Sequence, residues 1–153
     1  WYIFGTEWKT YAGFDHPDRI YKIGHATSAD GRDWQRDDGH QLVPDAIGAD
    51  ECQAMPSVIR IDNRHHLFFC FRYASDFRWN SARAYRMGHA ISDDLCSWTR
   101  CGDDLCIQPS PGQWDGEMVC YPHVFAVDDD VYLLYNGNEF GRHGFGVAKL
   151  CGD

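Results

Sequence analysis

The residues of this sequence that could do chemistry are aromatic side chains that stand among carboxylates and arginines. They concentrate in four long segments between short apolar runs, at 7–19, 39–53, 75–83 and 102–118. The set comprises Trp8, Tyr11, Phe14, Glu51, Phe77, Arg78, Trp79, Trp114 and Glu117, with Arg142 further along the chain. Sugar rings stack their apolar faces on aromatic rings, while their hydroxyls need fixed polar partners. The sequence therefore predicts a carbohydrate pocket where these segments meet.

Several single polar residues are candidates for the same pocket, with an ordinary structural role as the alternative. Arg72 ends an apolar run and either pairs with Glu51 or binds a ligand carboxylate bidentately. His123 follows Pro122 and is a candidate ligand or proton carrier. The structural alternative for Glu117 is a loop carboxylate that caps backbone N–H groups. The other candidates for substrate contact are Trp79, Trp114, Asp115, Tyr121, Asn136 and Asn138.

An internal repeat must position these groups. Residues 21–28, Tyr-Lys-Ile-Gly-His-Ala-Thr-Ser, recur 64 residues later at 85–92 as Tyr-Arg-Met-Gly-His-Ala-Ile-Ser, and a truncated copy follows at 144–149. A second phrase, at 55–72 and again at 120–138, recurs with an offset of 66 residues. Short apolar-aromatic runs that recur between turn signals indicate a repeated β unit.

Equivalent positions of the repeat should share structural roles. His25 and His89 occupy one such position, which predicts a common function such as hydrogen bonding between strands. Asp30 and Asp94 are predicted turn residues for the same reason. The three aspartates at 128–130 are interpreted as a hairpin turn, because a calcium loop needs spaced ligands.

Each full unit of the repeat reads as four antiparallel strands, which is typical of a propeller blade. In the middle unit the predicted strands are 54–61, 66–73, 84–92 and a short strand that opens at Trp98. The remaining predicted strands are 1–6, 20–28, a short one after Trp34, 119–127, 131–136 and 145–150. We therefore expect an all-β fold with little helix: a partial β-propeller of about two and a half four-stranded antiparallel blades, in a single domain over 1–153.

An open arc of blades leaves apolar faces in contact with water. Such an arc is either part of a longer chain or closes its ring against a second copy around a two-fold axis. The expectation from the sequence is the second arrangement, a homodimer that closes the propeller ring.

Composition limits the possible partners and the compartment. The formal net charge of −9 and the pI near 5.2 argue against nucleic acid or an acidic membrane as partner. No apolar run is long enough to span a bilayer, and no signal-peptide pattern opens the chain. Seven cysteines without a C-x-x-C pair predict no metal or cofactor, and they favour a reduced, cytoplasmic protein in which Cys70 and Cys120 are small buried thiols.

With these residues in view, the chain resembles the propeller glycoside hydrolases, namely the arabinanase and β-xylosidase group (family 43) and the invertase and levansucrase group. The resemblance is carried by four phrases at 28–34, 55–60, 114–122 and 135–141, which together span most of the chain. It implies the C-terminal half of such a protein, in an uncharacterised branch of the superfamily.

The resemblance also implies a catalytic pair. Enzymes of this group hold their acids near the starts of innermost strands, and Glu51 and Glu117 each stand shortly before the proline of such a strand. Glu117 is the implied acid and Glu51 its partner carboxylate; a separation of roughly 6.5–9.5 Å suits inversion and about 5–5.5 Å suits retention. The group uses three acids from three blades, and this chain lacks the blade that would carry the first. The alternatives are therefore a non-catalytic carbohydrate-binding module and a protein-interaction module with the propeller fold.

Overall fold

The computed structural model describes residues 1–13, 15, 17–102 and 105–151, and in these the chain is built from short antiparallel strands. The strands are β1 (Tyr2–Lys9), β2 (Asp18–Gly24), β3 (Ala26–Thr27), β4 (Gln35–Arg36), β5 (Glu51–Ile61), β6 (Arg64–Tyr73), β7 (Arg86–Ser92), β8 (Thr99–Arg100), β9 (Cys120–Val127), β10 (Asp130–Asn136) and β11 (Phe145–Lys149). A 3₁₀ turn at Ser81–Arg83 and a helical turn, α1 (Asn138–Gly141), complete the elements. No helix in the described ranges is long and apolar enough to cross a membrane.

The sheets follow the units of the sequence repeat. The middle unit forms a four-stranded sheet in the order β5-β6-β7-β8, and the last unit forms a three-stranded sheet in the order β11-β10-β9. In the first unit, β1 pairs with β2 and β3 pairs with β4. The all-β prediction and the antiparallel pairing within each unit are thus confirmed in the described chain.

Some predicted boundaries were wrong by a few residues. The turn after β5 contains only Asp62 and Asn63, both with positive φ (48° and 63°), so β6 begins at Arg64 rather than at residue 66. Two consecutive residues with positive φ are what a tight two-residue hairpin requires. The strand predicted over 20–28 is interrupted at His25, which separates β2 from β3.

A glycine under an aromatic ring explains why the repeated phrase contains Gly at a fixed place. Gly88 pairs with Phe69 on the neighbouring strand, and a Cβ at Gly88 would lie 2.5 Å from the Phe69 ring. The cross-strand pairs Tyr2–Gly24 and Tyr135–Gly146 have the same arrangement. The ring therefore occupies the space that any larger residue would need.

The turn between the third and fourth strands of a unit is also repeated in atomic detail. The carboxylate of Asp94 accepts hydrogen bonds from the backbone N–H groups of Cys96 (2.8 Å) and Ser97 (2.7 Å) and from the Ser92 hydroxyl (3.0 Å). Asp30 makes the equivalent bonds with the backbone of residues 32–33 and with Ser28. These bonds to the charged form lower the pKa of Asp94 to about 2 and also lower the pKa of Asp30. Both aspartates are the turn residues that the repeat predicted.

Strand β6 is the centre of the core, because both of its faces are covered. Phe69 and Leu67 face a cluster with Ile23 and Trp98, whereas Phe68 faces the opposite cluster with Val124. Side chains of a strand alternate between its faces, so a strand covered on both sides reads as a continuous apolar run.

The buried thiols have the structural role expected of them. Cys70 and Cys120 are both fully buried, and burial raises the pKa of each thiol to about 12. A protonated, inaccessible thiol packs as a small apolar side chain.

The two histidines of the repeat share a backbone role and differ in their side chains. The carbonyl oxygens of His25 and His89 each accept a 2.9 Å bond from the N–H of residues 37 and 101 respectively, 12 positions further along. The buried His89 ring stacks on Phe68 and hydrogen-bonds to the His66 ring (3.0 Å), whereas the His25 ring contacts Trp1. The prediction of a bond between strands is confirmed for His89.

The His89 environment predicts a pH-dependent stability. Burial, with a smaller effect of the nearby His66, lowers the pKa of His89 from 6.5 to about 4. The folded state therefore binds fewer protons than the unfolded state between these values, so the free energy of unfolding should fall by roughly 2–3 kcal/mol as the pH drops from 6.5 to about 4. Urea denaturation across this range should show the fall in wild type, a shallower fall in His89→Gln, and no change of slope in the control His123→Gln, whose histidine is exposed. Equal slopes in wild type and His89→Gln would contradict the assignment.

Candidate functional site

A cavity of about 520 Å³ lies at the ends of the strands that carry the long segments. It opens between the end of β1, the start of β2, the end of β6 and the starts of β7 and β9. Its lining is mostly aromatic and cationic: Trp8, Pro17, Asp18, Arg19, Tyr21, Arg72, Phe77, Arg78, Tyr85, Tyr121 and Phe140. We call this the aromatic cavity. A concave site with several ring faces and a few polar groups is suited to a small organic ligand.

Arg72 is the buried polar residue of the aromatic cavity. Its side chain is enclosed (6% exposed), and its Nη1 donates to the backbone carbonyls of Tyr73 (2.8 Å) and Ala74 (3.1 Å). The guanidinium carbon lies 3.6 Å from the centre of the Phe77 ring. Its Nε–H is buried and has no hydrogen-bond partner in the described structure. The backbone and Phe77 thus hold the guanidinium in place, while its buried Nε–H remains without a partner.

Two tyrosines from equivalent positions of the repeat meet beside Arg72. The hydroxyls of Tyr21 and Tyr85 are 2.8 Å apart and hydrogen-bonded, and both rings lie within 5.5 Å of the guanidinium carbon. Burial raises the pKa of both phenols, and it raises the pKa of Tyr121 to about 12. All three phenols are therefore neutral at physiological pH and can both donate and accept hydrogen bonds.

A second cavity of about 320 Å³ adjoins the aromatic cavity and shares Asp18, Phe77 and Arg78 with it. Its remaining lining is Gly13, Asp15, Asp76 and Trp79. Asp18 is the one residue with a carboxylate that lines both cavities, and it forms no ion pair in the described part of the chain. The pair of cavities forms a cleft in which aromatic rings lie beside carboxylates, at the end of the strands where the long segments connect them.

Glu51 lies in a polar network beneath the surface. Its side chain is fully buried, and its carboxylate accepts bonds from Arg100 (2.6 Å), from the Gln53 amide (2.9 Å) and from two backbone N–H groups, those of Ala46 (2.8 Å) and Ile47 (3.0 Å). The described cavities do not include it. A carboxylate with four donors in place has a structural role in this conformation. The predicted alternative in which Arg72 pairs with Glu51 is wrong, because Arg100 forms the ion pair with this carboxylate.

Glu117 lies at the surface on the loop before β9. Its backbone N–H donates to the Asn138 side-chain oxygen (2.8 Å), and its carbonyl accepts from Arg86 (3.0 Å). The side chain is exposed, and its carboxylate has no hydrogen-bond partner within the described residues. Glu51 is buried against Arg100, Glu117 is exposed, and neither lines a cavity in the described chain, so the structure does not bring the two together in one cavity.

Three further candidates organise the loop that carries Glu117. Asn138 bonds to the N–H groups of Glu117 and Met118 and to the Gln113 carbonyl. Asp115 is buried and accepts the Tyr135 hydroxyl (3.1 Å). Trp114 stacks on the Tyr135 ring at 5.6 Å. These contacts fix the loop, and none of the three residues lines the two cavities.

The remaining candidates divide between the cleft and the rest of the surface. Tyr121 lines the aromatic cavity, and Trp79, 81% exposed, lines the adjoining one. His123 is exposed on β9 and stacks on Phe125, and the Asn136 amide donates to the Phe140 carbonyl (3.2 Å). Phe14, expected on the same face, lies outside the described residues.

The cleft contains residues that were not selected from the sequence, namely Asp18, Arg19, Tyr21, Tyr85 and Phe140. A signal was present for two of them. Tyr21 and Tyr85 are the first residues of the two full copies of the repeated phrase, and each comes shortly after a long segment. Their equivalent positions therefore placed both of them near the face that carries these segments.

Comparison with known proteins gives uncharacterised relatives. No family model matches the chain. Two uncharacterized proteins of Mycobacterium tuberculosis, MT1551 and Rv1502, are each 36% identical to it over 129 residues, which is 84% of this chain. The chain spans about two fifths (40%) of the length of these relatives.

Solved structures described as glycoside hydrolases have a similar fold. A structure described as a glycoside hydrolase and a complex of BT0996 with RGII both have a TM-score of 0.63, at 24% and 23% identity, over 88% of this chain and 37% of theirs. The Bombyx mori GH32 beta-fructofuranosidase has a TM-score of 0.57 at 16% identity, over 95% of this chain and 29% of its own. The likeness shows that the chain has a glycoside-hydrolase-like propeller fold. It does not show that the chain has glycosidase activity.

Proposed function

We propose that the chain binds a carbohydrate in the aromatic cavity. The observation that carries the proposal is the lining of this cavity: six aromatic residues, three of them neutral tyrosines, beside Asp18 and the fixed guanidinium of Arg72. Ring faces provide stacking area for the C–H faces of a sugar, and the phenols and charged groups provide the directed bonds that its hydroxyls require. The glycoside-hydrolase-like fold of the solved neighbours supports this choice of ligand class.

Binding describes the observed geometry better than hydrolysis does. Glycosidases place two carboxyl groups on either side of the bond that they cleave. Glu51 is bound to Arg100 outside the aromatic cavity. Asp18 therefore supplies the single carboxylate in the lining of that cavity. Hydrolysis is the second candidate, and it is favoured by the adjoining cavity, where Asp18 is joined by Asp15 and Asp76.

Two of the exposed tryptophans, Trp8 and Trp34, allow a matched test of the proposed binding site. Trp8 is 65% exposed and lines the aromatic cavity, whereas Trp34 is 58% exposed and lies outside both cavities. Trp8→Ala should weaken oligosaccharide binding, measured by calorimetry, by about 10-fold, the equivalent of roughly 1.4 kcal/mol. Trp34→Ala should bind as wild type does.

The same experiment separates the candidate functions. If no oligosaccharide of a broad panel binds, or if Trp34→Ala loses as much affinity as Trp8→Ala, the proposed site fails. Release of reducing ends from the panel by wild type, abolished by Asp18→Asn or by Glu117→Gln, would establish hydrolysis and identify the carboxylate. Binding without turnover leaves a carbohydrate-binding module.

Ring closure by a second copy also stays a proposal, and its alternative is closure by further blades of a longer chain. The outer strand β11 exposes Phe145 (65%) and Val147 (58%), which are the residues that either arrangement would cover.

A further inference from the structure

The aromatic cavity is positively charged although the chain as a whole is acidic. Its lining carries the three guanidinium groups of Arg19, Arg72 and Arg78 and the single carboxylate of Asp18, in a protein of net charge −9. None of the three arginines forms an ion pair with a carboxylate among the residues that the structure describes. Instead they lie against rings: Arg19 on Trp8 at 5.1 Å and Arg78 on Phe77 at 4.6 Å.

Some arginines elsewhere in the described chain do form ion pairs. Arg100, which is also largely buried, has Glu51 at 2.6 Å, and exposed arginines such as Arg64 and Arg142 also have carboxylate partners. A buried cation is normally paired, because removing a charge from water is costly. The missing partner of Arg72 is therefore the feature that needs an explanation.

The contacts of the Arg72 guanidinium define which kind of ligand group could bind to it. Nη1 is occupied by two backbone carbonyls, and Phe77 covers one face of the guanidinium at 3.6 Å. The Nε–H remains without a partner on a side chain that is 6% exposed and lines the aromatic cavity. The buried Nε–H is thus the guanidinium donor that a bound anion could satisfy, and a carboxylate matches the planar edge of a guanidinium with its two oxygens.

We propose that the sugar recognised in the aromatic cavity is an acidic one, whose carboxylate binds the Nε edge of Arg72 as a uronic acid would. The proposal rests on the carbohydrate-binding function argued above and specifies its substrate class. Arg19 and Arg78 lie at the exposed rim and attract the anion, and Arg72 binds it. Asp18 and the neutral phenols of Tyr21 and Tyr85 remain available for hydroxyl groups.

A ligand-side experiment tests the proposal without altering the protein. Calorimetry would compare methyl glucuronoside and methyl galacturonoside with their methyl esters and with the corresponding neutral glycosides. The free acids should bind about 10- to 100-fold more tightly than their esters, as expected for a charge-assisted hydrogen bond. The advantage should shrink as salt is raised. Equal binding of acid, ester and neutral sugar would overturn the proposal and leave carbohydrate binding intact, whereas no binding of any sugar would overturn both.

A protein-side experiment assigns the effect to Arg72. Arg72→Lys keeps a positive charge and loses the planar pair of donors, so it should remove most of the preference for acid over ester. Arg60→Lys, at an exposed arginine of β5 outside both cavities, should keep the preference. Thermal unfolding identifies variants that do not fold, and Arg78→Gln at the exposed rim then serves in place of Arg72→Lys, with a smaller loss of preference. An unchanged preference in the folded Arg72→Lys protein would overturn the assignment.

Sulfated glycosides complete the panel. A tetrahedral sulfate presents a different shape and the same sign of charge. If sulfated sugars bind more tightly than uronic acids, the cavity recognises an anion other than a carboxylate, and the uronic-acid assignment is overturned.

Discussion

Glu51→Gln should lower the free energy of unfolding by about 3–5 kcal/mol, because it removes the carboxylate from a largely buried ion pair. The Glu51 carboxylate accepts four hydrogen bonds, from Arg100, Gln53 and the backbone N–H groups of Ala46 and Ile47. Glutamine has the same shape but only one acceptor oxygen, so its amide N–H₂ would face donors. The Arg100 cation, with a side chain only 12% exposed, would remain without its carboxylate.

Urea denaturation of the two glutamate variants measures this directly. Glu117→Gln is the matched control, since its side chain is exposed and should change stability by no more than about 0.5 kcal/mol. Should Glu51→Gln remain as stable as wild type while losing a measured glycosidase activity, the structural role would be refuted and the catalytic pair of the sequence prediction would be supported instead.

The repeat explains why the strands could be predicted. Ser28 and Ser92, and likewise Gly24 and Gly88, recur because the same turn and the same ring-over-glycine pair are built twice. Such local rules depend on neighbours in the sequence or on the adjacent strand, so a pattern of residue types reveals them. The end of the strands at which the cleft lies could be anticipated in the same way, from the lengths of the connections.

The role of Glu51 could not be read from the sequence, because its partner is distant along the chain. Arg100 is 49 residues away and reaches Glu51 from the outermost strand of the same sheet. A glutamate shortly before a strand proline has the same spacing whether its side chain faces a cavity or the interior. The unpartnered Nε–H of Arg72 was equally hidden. Nη1 bonds to the next two carbonyls along the chain, but only the packed structure shows that no described group reaches Nε.

The second large effect is expected at Phe69, where Phe69→Ala should destabilise the fold by about 3–5 kcal/mol. Phe69 is fully buried at the centre of β6, and its ring packs against Ile23, Trp98 and the aliphatic core on that face. It also covers Gly88 on the next strand and lies 5.2 Å below the guanidinium of Arg100. Its removal therefore leaves a cavity and weakens the support of the Glu51 network at once.

The pair of Phe69 and Gly88 makes this prediction more specific than a general core effect. Gly88→Ala alone should cost about 1–3 kcal/mol, because the new methyl group would lie 2.5 Å from the Phe69 ring. In the double variant the methyl group enters the space that the ring has vacated, so the double loss should be smaller than the sum of the single losses by about 1 kcal/mol or more. Gly102→Ala is the control and should have little effect, since nothing lies within 4 Å of a Cβ placed there. Strict additivity in urea denaturation would mean that the ring does not occupy the glycine's space, and the explanation of the repeated glycine would have to be abandoned.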